Sequence, residues 1–296
     1  MATVSFVGRL LSVVRDELIL AYVAPPLPFV GDDHLDPAVA TRAQGALSSA
    51  VFDEAVLRLP NEWQSKAQRV ELSGAPGVQL LKLADERGAD MIAVGFRGTG
   101  LFERFLLGSV SRAVVHSARV SVLVVKTAGG PDSEKLAGTA DGIFRALVAY
   151  DGSEFGDRIT ALASKLSWPE RSRGWAITVV PPMFVHQLPK WLQPIQRDPD
   201  VQAMAEAWQK EHDQQLAQAV DDVKTYQEEL PEMFRPTEPI VAQGHPAEQI
   251  LATIARQKID LAIVGSRGHA AIERLLVGST SARVVQEAPC SVLIAR

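Results

Sequence analysis

The sequence predicts an α/β protein of two similar halves, each an open parallel five-stranded sheet with helices on both faces. Three observations predict this fold class. The chain has 296 residues, and at roughly 100–200 residues per domain that length favours two domains. Short apolar runs alternate with longer amphipathic segments, which is typical of a parallel sheet covered on both faces. The pattern of the first half also returns in the second.

The repeat is clearest around one apolar run. Asp90-Met-Ile-Ala-Val-Gly-Phe-Arg-Gly98 returns as Asp260-Leu-Ala-Ile-Val-Gly-Ser-Arg-Gly268, at an offset of 170 in the numbering. This offset holds without a gap from Gly74–Lys126 to Gly244–Arg296. An ungapped match of this length predicts that the later part of each half folds in the same way.

Earlier in each half the offset is 156, where Val23-Ala-Pro-Pro26 matches Val179-Val-Pro-Pro182. The second half is therefore longer, by the difference between the two offsets, between its second strand and Gly244. Residues 127–141 are polar and rich in turn formers, as a linker between domains should be. We expect a first domain over 1–130 and a complete second domain over 141–296.

The elements of the second half follow from its apolar spacing. Short apolar runs bounded by turn formers indicate buried strands, and apolar residues three and four apart indicate helices. The predicted elements are a strand over 144–150, a helix over 155–166, a strand over 175–180, a long covering helix over 200–230, a strand over 239–242, a helix over 247–257, a strand over 261–264, a helix over 279–287 and a strand over 291–294.

A parallel sheet binds ligands beyond the carboxyl ends of its strands, where the strand order reverses. Gly265-Ser-Arg-Gly268 follows one strand, and Gly278-Ser279 stands after a further nine residues, before the last helix. Glycines allow close approach of backbone amides to an anion, and a helix N-terminus adds a partial positive charge. The spacing fits a two-part phosphate cradle, although the same glycines could only form a turn and Ser279 could only cap a helix.

Asp151-Gly-Ser153 follows the first strand of the second half. A carboxylate at that strand end could accept hydrogen bonds from ribose hydroxyls or an adenine amino group. An aspartate in this position is also common as an Asx turn or a helix N-cap. From the residues alone, the turn is the favoured interpretation.

These motifs resemble the ATP-binding subgroup of the universal stress protein family. The resemblance rests on Val148-Ala-Tyr-Asp-Gly-Ser-Glu154, on Val179–Pro182 and on Gly265-x2-Gly268-x9-Gly278-Ser279-Thr280. It implies a Rossmann-like fold of the adenine-nucleotide alpha hydrolase-like type. It implies that Asp151 faces the ribose or adenine, that the backbone of Val179 and Val264 lines the adenine pocket, and that Gly265, Arg267, Gly268, Gly278, Ser279 and Thr280 surround the phosphates of ATP. Mg²⁺ would then sit on the phosphates.

The first half keeps only part of this set. The matching positions are Val23, Val94, Gly95, Gly98, Gly108, Ser109 and Val110. Its first strand and the aspartate have no counterpart, because at the offset of 156 Met1 falls opposite Asp157. Either the half is truncated, or its start lies upstream, or 1–7 forms a degenerate first strand, with 5–15 as the rest of the first helix. We expect truncation or a misplaced start, and weak nucleotide binding by this half.

Composition narrows the function further. A net charge of −5 argues against nonspecific nucleic-acid binding. The single Cys290 favours a reducing compartment, and the absence of a long uncharged apolar run argues against a membrane span, so we expect a cytoplasmic protein. We expect no metal ligand set of protein residues.

No nucleophile stands beside a base in the pattern, so we expect binding and regulation rather than catalysis. The favoured function is an ATP-binding stress-response protein that acts on an unknown protein partner. The alternatives are an interaction module without nucleotide, or a weak ATPase. The last strand of each half is apolar, and the resemblance implies that it lies at a sheet edge, which needs cover. The resemblance also implies that the two halves pair through these strands as an internal pseudo-dimer, with a homodimer as a further possibility.

Overall fold

The structure is a computed structural model. It describes residues 1–25, 36–96, 107–126, 141–153, 155–181, 198–266 and 277–296. The predicted glycine-loop positions Gly98, Arg267 and Gly268 lie outside these ranges, as does most of the loop that precedes the long helix. The described residues hold every strand and helix from which the sheet topology follows.

The first half begins with a helix and contributes four strands. Its elements are α1 (Ala2–Gly8), β1 (Ile19–Ala24), α2 (Pro37–Leu57), α3 (Asn61–Gln64), β2 (Gln68–Ser73), α4 (Pro76–Arg87), β3 (Met91–Gly95), α5 (Ser109–Ser117) and β4 (Ser121–Val125). Proline at the start of α4 suits a first helical turn, since its missing N–H would have no partner inside the helix.

The second half contributes five strands. Its elements are β5 (Phe144–Ala149), α6 (Phe155–Lys165), β6 (Ser172–Val180), α7 (Pro199–Glu229), a 3₁₀ turn (Glu232–Phe234), β7 (Ile240–Gln243), α8 (Pro246–Gln257), β8 (Leu261–Gly265), α9 (Ser279–Glu287) and β9 (Ser291–Ala295). Every predicted element of this half is confirmed, with small shifts of its bounds.

Seven strands form one sheet in the order β3-β4-β9-β8-β5-β6-β7, while β1 and β2 form a separate two-stranded sheet. Neighbouring strands are parallel except for β4 and β9, which run antiparallel. The α/β class with parallel sheets is therefore confirmed. The five strands of the second half form an open parallel unit within the larger sheet.

The prediction of two separate five-stranded sheets is wrong for two reasons. First, β4 and β9 pair, with Leu123 opposite Leu293, and so join strands of both halves into one sheet. Second, no strand in the described part of the first half lies between β1 and β3 in the sheet, so β1 and β2 stand apart. A degenerate strand over 1–7 is also wrong, because Ala2–Gly8 is helical.

Helix α1 takes the place that α6 has in the second half. It packs against β3 and β4, as α6 packs against β8 and β9. The repeat predicts the rest of the first helix over 5–15, and the structure has it at Ala2–Gly8 instead. Gly8 permits this position, because a Cβ there would lie 2.6 Å from Cδ of Pro60.

Each face of the seven-stranded sheet carries one apolar core shared by both halves. One core holds Phe6 and Leu10 of the first half together with Phe144 and Ile159 of the second. The other core is built from α5, α8 and α9 against the opposite face of the strands. Alternate residues of a strand point to opposite faces, which is why both cores draw on the same strands.

The ends of β4 and β9 are tied by two reciprocal basic side chains. Lys126 Nζ donates to the carbonyls of Gln286 and Ala288 at 3.1 and 2.6 Å, at the C-terminus of α9. Arg296, the repeat-equivalent residue, donates to the carbonyl of Val115 at the C-terminus of α5. A cation at a helix C-terminus is favoured by the helix dipole, so each half stabilises a helix of the other.

Within the described ranges, no helix is both long enough and apolar enough to span a membrane.

Candidate functional site

The strand order of the second half reverses beside β5. From β5 the chain moves to β6 and β7 on one side, then returns to β8 and β9 on the other. The connecting helices consequently cover opposite faces, and a crevice opens at the carboxyl ends of β5 and β8. This crevice is where Asp151 and Gly265 emerge from their strands.

Two hydrogen bonds fix the start of α9 against the end of β8, and a third ties the end of β8 to the end of β9. The amide of Ser266 donates to the carbonyl of Ala295 at 2.8 Å, and the amide of Gly278 donates to the carbonyl of Ser266 at 2.8 Å. The hydroxyl of Ser281 donates to the carbonyl of Gly265 at 2.5 Å. The chain on both sides of residues 267–276 is thereby held at one edge of the sheet.

No side chain caps α9. Gly278 is the N-cap residue, with φ −59° and ψ 153°, and Ser279 is the first residue of the helix. The alternative that Ser279 serves as a helix cap is therefore wrong. Ser279 is exposed and Thr280 is half-buried, and both stand in the first turn of α9. Such a terminus presents N–H donors and a partial positive charge to an anion.

Asp151 lies exposed at the end of β5. Its Oδ1 accepts hydrogen bonds from the amide of Ser153 at 3.0 Å and from the hydroxyl of Ser153 at 2.5 Å. Gly152 between them has φ 76°, a conformation that favours glycine. The Asx-turn interpretation is thus confirmed. It leaves the ligand role open, since a carboxylate offers about four acceptor positions on its two oxygens.

The two predicted adenine-lining positions lie on strands that flank β5. Val264 is buried in β8, where it pairs with Ile294. Val179 is half-buried in β6, where it pairs with Ala242. Because β6 and β8 are the two neighbours of β5, both valines lie near the carboxyl edge that also carries Asp151. Their contact with an adenine stays a prediction.

In the first half, the start of α5 has hydrogen bonds equivalent to those at the start of α9. The amide of Gly108 donates to the carbonyl of Phe96 at 2.9 Å, and the hydroxyl of Ser111 donates to the carbonyl of Gly95 at 2.5 Å. The predicted site positions on this side are Val23 at the end of β1, Val94 and Gly95 at the end of β3, and Gly108, Ser109 and Val110 at the start of α5. The structure brings the positions at the end of β3 and those at the start of α5 together. In the described residues, no strand occupies the place that β5 has in the second half, so no aspartate joins them.

A stacked pair of tyrosines beside the crevice has no sequence signal. The rings of Tyr150, at the end of β5, and Tyr226, in α7, lie 4.1 Å apart at 11°. The hydroxyl of Tyr226 donates to the carbonyl of Gly156 at 3.1 Å. Burial raises the pKa of Tyr226 and keeps its hydroxyl protonated. Gly156 fits because a Cβ there would lie 2.9 Å from the ring of Tyr150.

Two further groups with raised pKa values, Asp260 and Cys290, lie at the opposite edge of the sheet. Asp260 precedes β8, and burial raises the pKa of its carboxyl to about 6. Cys290 precedes β9, and burial raises the pKa of its thiol to about 12, so the thiol is protonated at neutral pH. A nucleophile or base of the site would have to lie at the carboxyl edge.

In the part of the chain that the structure describes, no three His, Cys, Asp or Glu residues are grouped so as to hold a metal ion. Mg²⁺ on the phosphates of a bound nucleotide stays a prediction.

Comparison with known proteins places this architecture in one family. The model of the universal stress protein family matches residues 2–126 and again residues 143–296. The two matches cover both halves, and the chain belongs to this family as a tandem member. Universal stress proteins are stress-response proteins.

Curated relatives agree with the assignment. The chain is 32% identical over 116 residues to a universal stress protein of Methanocaldococcus jannaschii, a match that covers 37% of this chain and 65% of the relative. It is 27% identical over 210 residues to one of Mycolicibacterium smegmatis, with 71% of this chain and 63% of the relative covered. A Thermus aquaticus universal stress protein shares 47% identity over 57 residues, which are 19% of this chain and 42% of the relative. The chain thus spans less than two thirds of the length of these relatives.

Two solved structures share the fold over nearly the whole chain. A universal stress protein from Archaeoglobus fulgidus superposes with a TM-score of 0.60 at 21% identity, covering 100% of this chain and 92% of that one. A protein of unknown function from Pseudomonas aeruginosa gives 0.53 at 14% identity, covering 96% and 93%. At these identities the likeness concerns the fold alone.

Proposed function

We propose that the second half binds an adenine nucleotide, ATP, at the carboxyl ends of β5 and β8, and that the protein acts as a nucleotide-binding stress-response regulator. The observation that carries this proposal is the uncapped N-terminus of α9, tied to the end of β8 by the hydroxyl of Ser281. Its amide donors are organised before any ligand arrives.

The phosphate side of the proposed site is built from backbone. The first-turn amides of α9 have no acceptor inside the helix and need an external one. Phosphate oxygens are strong acceptors and are favoured by the positive end of the helix dipole. The exposed hydroxyl of Ser279 would add one more donor. Arg267 and Gly268 lie outside the described residues, and their contact with phosphate belongs to the proposal.

The nucleoside side would be formed by the ends of β5 and β6. Asp151 is exposed at this edge and accepts from Ser153 through Oδ1. Its carboxylate has the capacity to accept from ribose hydroxyls as well. Val179 and Val264 stand on the strands to either side of β5, where their backbone would meet the adenine. The residues present therefore fit a nucleotide that lies across the crevice.

Binding is favoured over hydrolysis by the position of the titratable groups. Asp260 and Cys290 precede their strands, and so lie a strand length from the proposed phosphate position. Among the described residues at the carboxyl edge, Asp151 is the carboxylate nearest in the chain to a strand end of the crevice, and it is held in a turn. A weak ATPase remains the alternative that the experiment below also tests.

A proline at the first position of α9 tests the proposal with little risk to the fold. Ser279→Pro removes one amide donor and one hydroxyl, yet proline suits this helical position, and Gly278 already has the extended ψ that a following proline needs. Ser109→Pro is the matched change in the first half, where Gly108 has the same conformation. We expect Ser279→Pro to weaken ATP affinity by at least about 10- to 100-fold, the worth of one hydrogen bond to a charged group, because both the amide and the hydroxyl are lost.

Ser109→Pro should leave the affinity of the second half unchanged. Equal weakening by both variants, or by neither, contradicts the proposed position of the phosphates. Phosphate release from ATP separates binding from hydrolysis: steady release by the native chain that disappears in Ser279→Pro would favour the weak ATPase.

A further inference from the structure

One side chain of α7 contacts both ends of the loop that contains Asp151. The ring of Tyr226 stacks on the ring of Tyr150, the residue before Asp151, with 4.1 Å between the ring centroids and 11° between the planes. The hydroxyl of Tyr226 donates to the carbonyl of Gly156, in the first turn of α6, at 3.1 Å. The entry and the exit of the loop are therefore tied to the same buried tyrosine.

Hydrogen bonds inside the loop carry this constraint to the carboxylate. Oδ1 of Asp151 accepts from the amide and the hydroxyl of Ser153. The carbonyl of Ser153 accepts in turn from the amide of Gly156 at 2.9 Å. The orientation of the carboxylate thus depends on Tyr150 at one end of the loop and on Gly156 at the other, which are the two residues that Tyr226 contacts.

The three groups are closely packed. A Cβ on Gly156 would lie 2.9 Å from Cε2 of Tyr150 and 3.4 Å from Cε2 of Tyr226, so both rings lie against the backbone of Gly156. Gly156 is helical, and its lack of a side chain serves this contact rather than an unusual backbone conformation. A stacked aromatic pair gives more stabilisation than the burial of its area alone, so the pair forms a firm support for the loop.

The helix of the first half that corresponds to α7 has no such tyrosine. Leu59-Pro60 follows α2 as Leu230-Pro231 follows α7, and in that alignment Ala55 stands opposite Tyr226. Helix α2 packs against β1 as α7 packs against β6. The packing of the long helix on its sheet therefore does not require a tyrosine, and the ring of Tyr226 serves the loop of Asp151.

Support of this kind matters because Asp151 is exposed. An exposed loop that becomes ordered only when a ligand binds costs conformational free energy, which lowers the affinity. Here the loop is already ordered by its two contacts with α7. A nucleotide whose ribose or adenine meets the carboxylate would gain from this preorganisation.

We propose that Tyr226 is a positioning residue of the nucleotide site, which acts through Tyr150 and Gly156 to hold the carboxylate of Asp151 in the orientation that receives the nucleoside. The inference rests on the function proposed above. Helix α7 contributes to the core on one face of the sheet, and α9 contributes to the core on the other. The nucleoside side and the phosphate side of the site would then be held from opposite faces.

Single variants test this role, with ATP affinity measured by calorimetry of the full chain in the presence of Mg²⁺. Tyr226→Leu removes the ring and the hydroxyl, and it should weaken ATP binding about tenfold, the worth of an aromatic pair. Tyr226→Phe keeps the ring and should weaken binding by no more than about threefold. Val223→Ala is the matched control: Val223 is fully buried in the same helix, so the change should lower stability and leave ATP affinity unchanged.

A double-mutant cycle shows whether Tyr226 acts through Asp151. Asp151→Ala should weaken ATP binding by itself, and Tyr226→Leu added to it should cause no further loss, since no carboxylate is left to position. Losses that multiply in the double variant would overturn the proposal, because a general loosening of the fold does not depend on Asp151.

The outcomes separate this inference from the function on which it rests. ATP binding by the native chain that Tyr226→Leu leaves unchanged, or that Val223→Ala weakens equally, would overturn the positioning role alone. Absence of ATP binding by the native chain would overturn the proposed function and the positioning role together. If Tyr226→Leu does not fold, Tyr150→Leu removes the same stack at a half-buried position and decides in its place.

Discussion

Asp90 and Asp260, which are equivalent positions of the repeat, have opposite surroundings in the two halves. Asp260 is 3% exposed and is bonded through its backbone and its carboxylate to β5. The side chain of Asp90, which precedes the matching apolar run in the first half, is 82% exposed. Their local sequences are similar, so the difference comes from one neighbouring strand. The comparison shows that burial in a repeated fold is set by what lies beside the repeat.

The starts of α5 and α9, in contrast, are alike in the two halves. Ser111 and Ser281 each donate to the carbonyl at the end of the preceding strand, at 2.5 Å in both halves. These bonds connect residues within one strand–loop–helix unit, and they form whether or not the central strand is present. The phosphate side of a nucleotide site can therefore persist where the nucleoside side is missing.

The largest expected effect tests whether β3 and β8 are buried to different extents. Leu261→Ala should cost about 2–5 kcal/mol of unfolding free energy, since it leaves a cavity at a fully buried position. Met91→Ala, the matched change at a half-buried position, should cost about 1 kcal/mol. Urea unfolding of both variants measures the difference. Equal losses would mean that β3 is as well covered as β8.

The next effect concerns a close contact that the first half does not share. A Cβ on Gly174 would lie 2.2 Å from the ring of the fully buried Phe234, so Gly174→Ala should destabilise by about 1–3 kcal/mol. The repeat places Leu18 at the equivalent position. Gly45→Ala is the control: its Cβ meets open space on an exposed helix, and it should stabilise by about 0.5–1 kcal/mol. Thermal unfolding of the two variants measures both effects. If Gly174→Ala causes no loss of stability, the close packing of Phe234 is contradicted.

A pH profile sharpens the comparison at Asp260. Burial raises the pKa of its carboxyl from 3.8 to about 6, so the folded state binds a proton more tightly than the unfolded state. Its contribution favours folding below pH 3.8 and is lost as the pH rises from about 4 through 6. Asp260→Asn should remove this fall, measured as the melting temperature across that range. An unchanged pH profile in Asp260→Asn would contradict the raised pKa of Asp260.

The smallest effect should be the same in both halves. Lys126→Ala removes a cation from the C-terminus of α9, and Arg296→Ala removes one from the C-terminus of α5. We expect each to cost about 0.3–1 kcal/mol, the usual worth of a charge at a helix end. Thermal unfolding at low and high salt should show both losses shrinking together. A loss confined to one variant would mean that the two helix ends are not equivalent.

Much of this molecule could be predicted from the sequence, because local patterns determine it. The repeat, the strand and helix order of the second half and the glycine start of α9 follow from spacing and turn chemistry. The pairing of Tyr150 with Tyr226 could not be predicted, since the two residues lie far apart in the chain and no motif connects them. The same holds for Phe234 above Gly174, which depends on the angle of α7 and the turn after it.

The joined sheet was harder to predict than its strands. Apolar residues in β4 and β9 indicate that both need cover, and an antiparallel ladder with Leu123 opposite Leu293 supplies it. A strand sequence does not specify which edge its partner occupies. The isolation of β1 and β2 goes with the lack, among the described residues, of a strand at the place of β5, which the offset of the repeat at Met1 already indicated.

The stoichiometry of ATP binding tests the account most directly. Calorimetry of the full chain with Mg²⁺ present would count the nucleotides bound, with Ser279→Pro as the variant that identifies the half. The account predicts one ATP per chain, with binding weakened in Ser279→Pro and unchanged in Ser109→Pro. Two ATP per chain would contradict the difference between the halves, and none would contradict the nucleotide site itself.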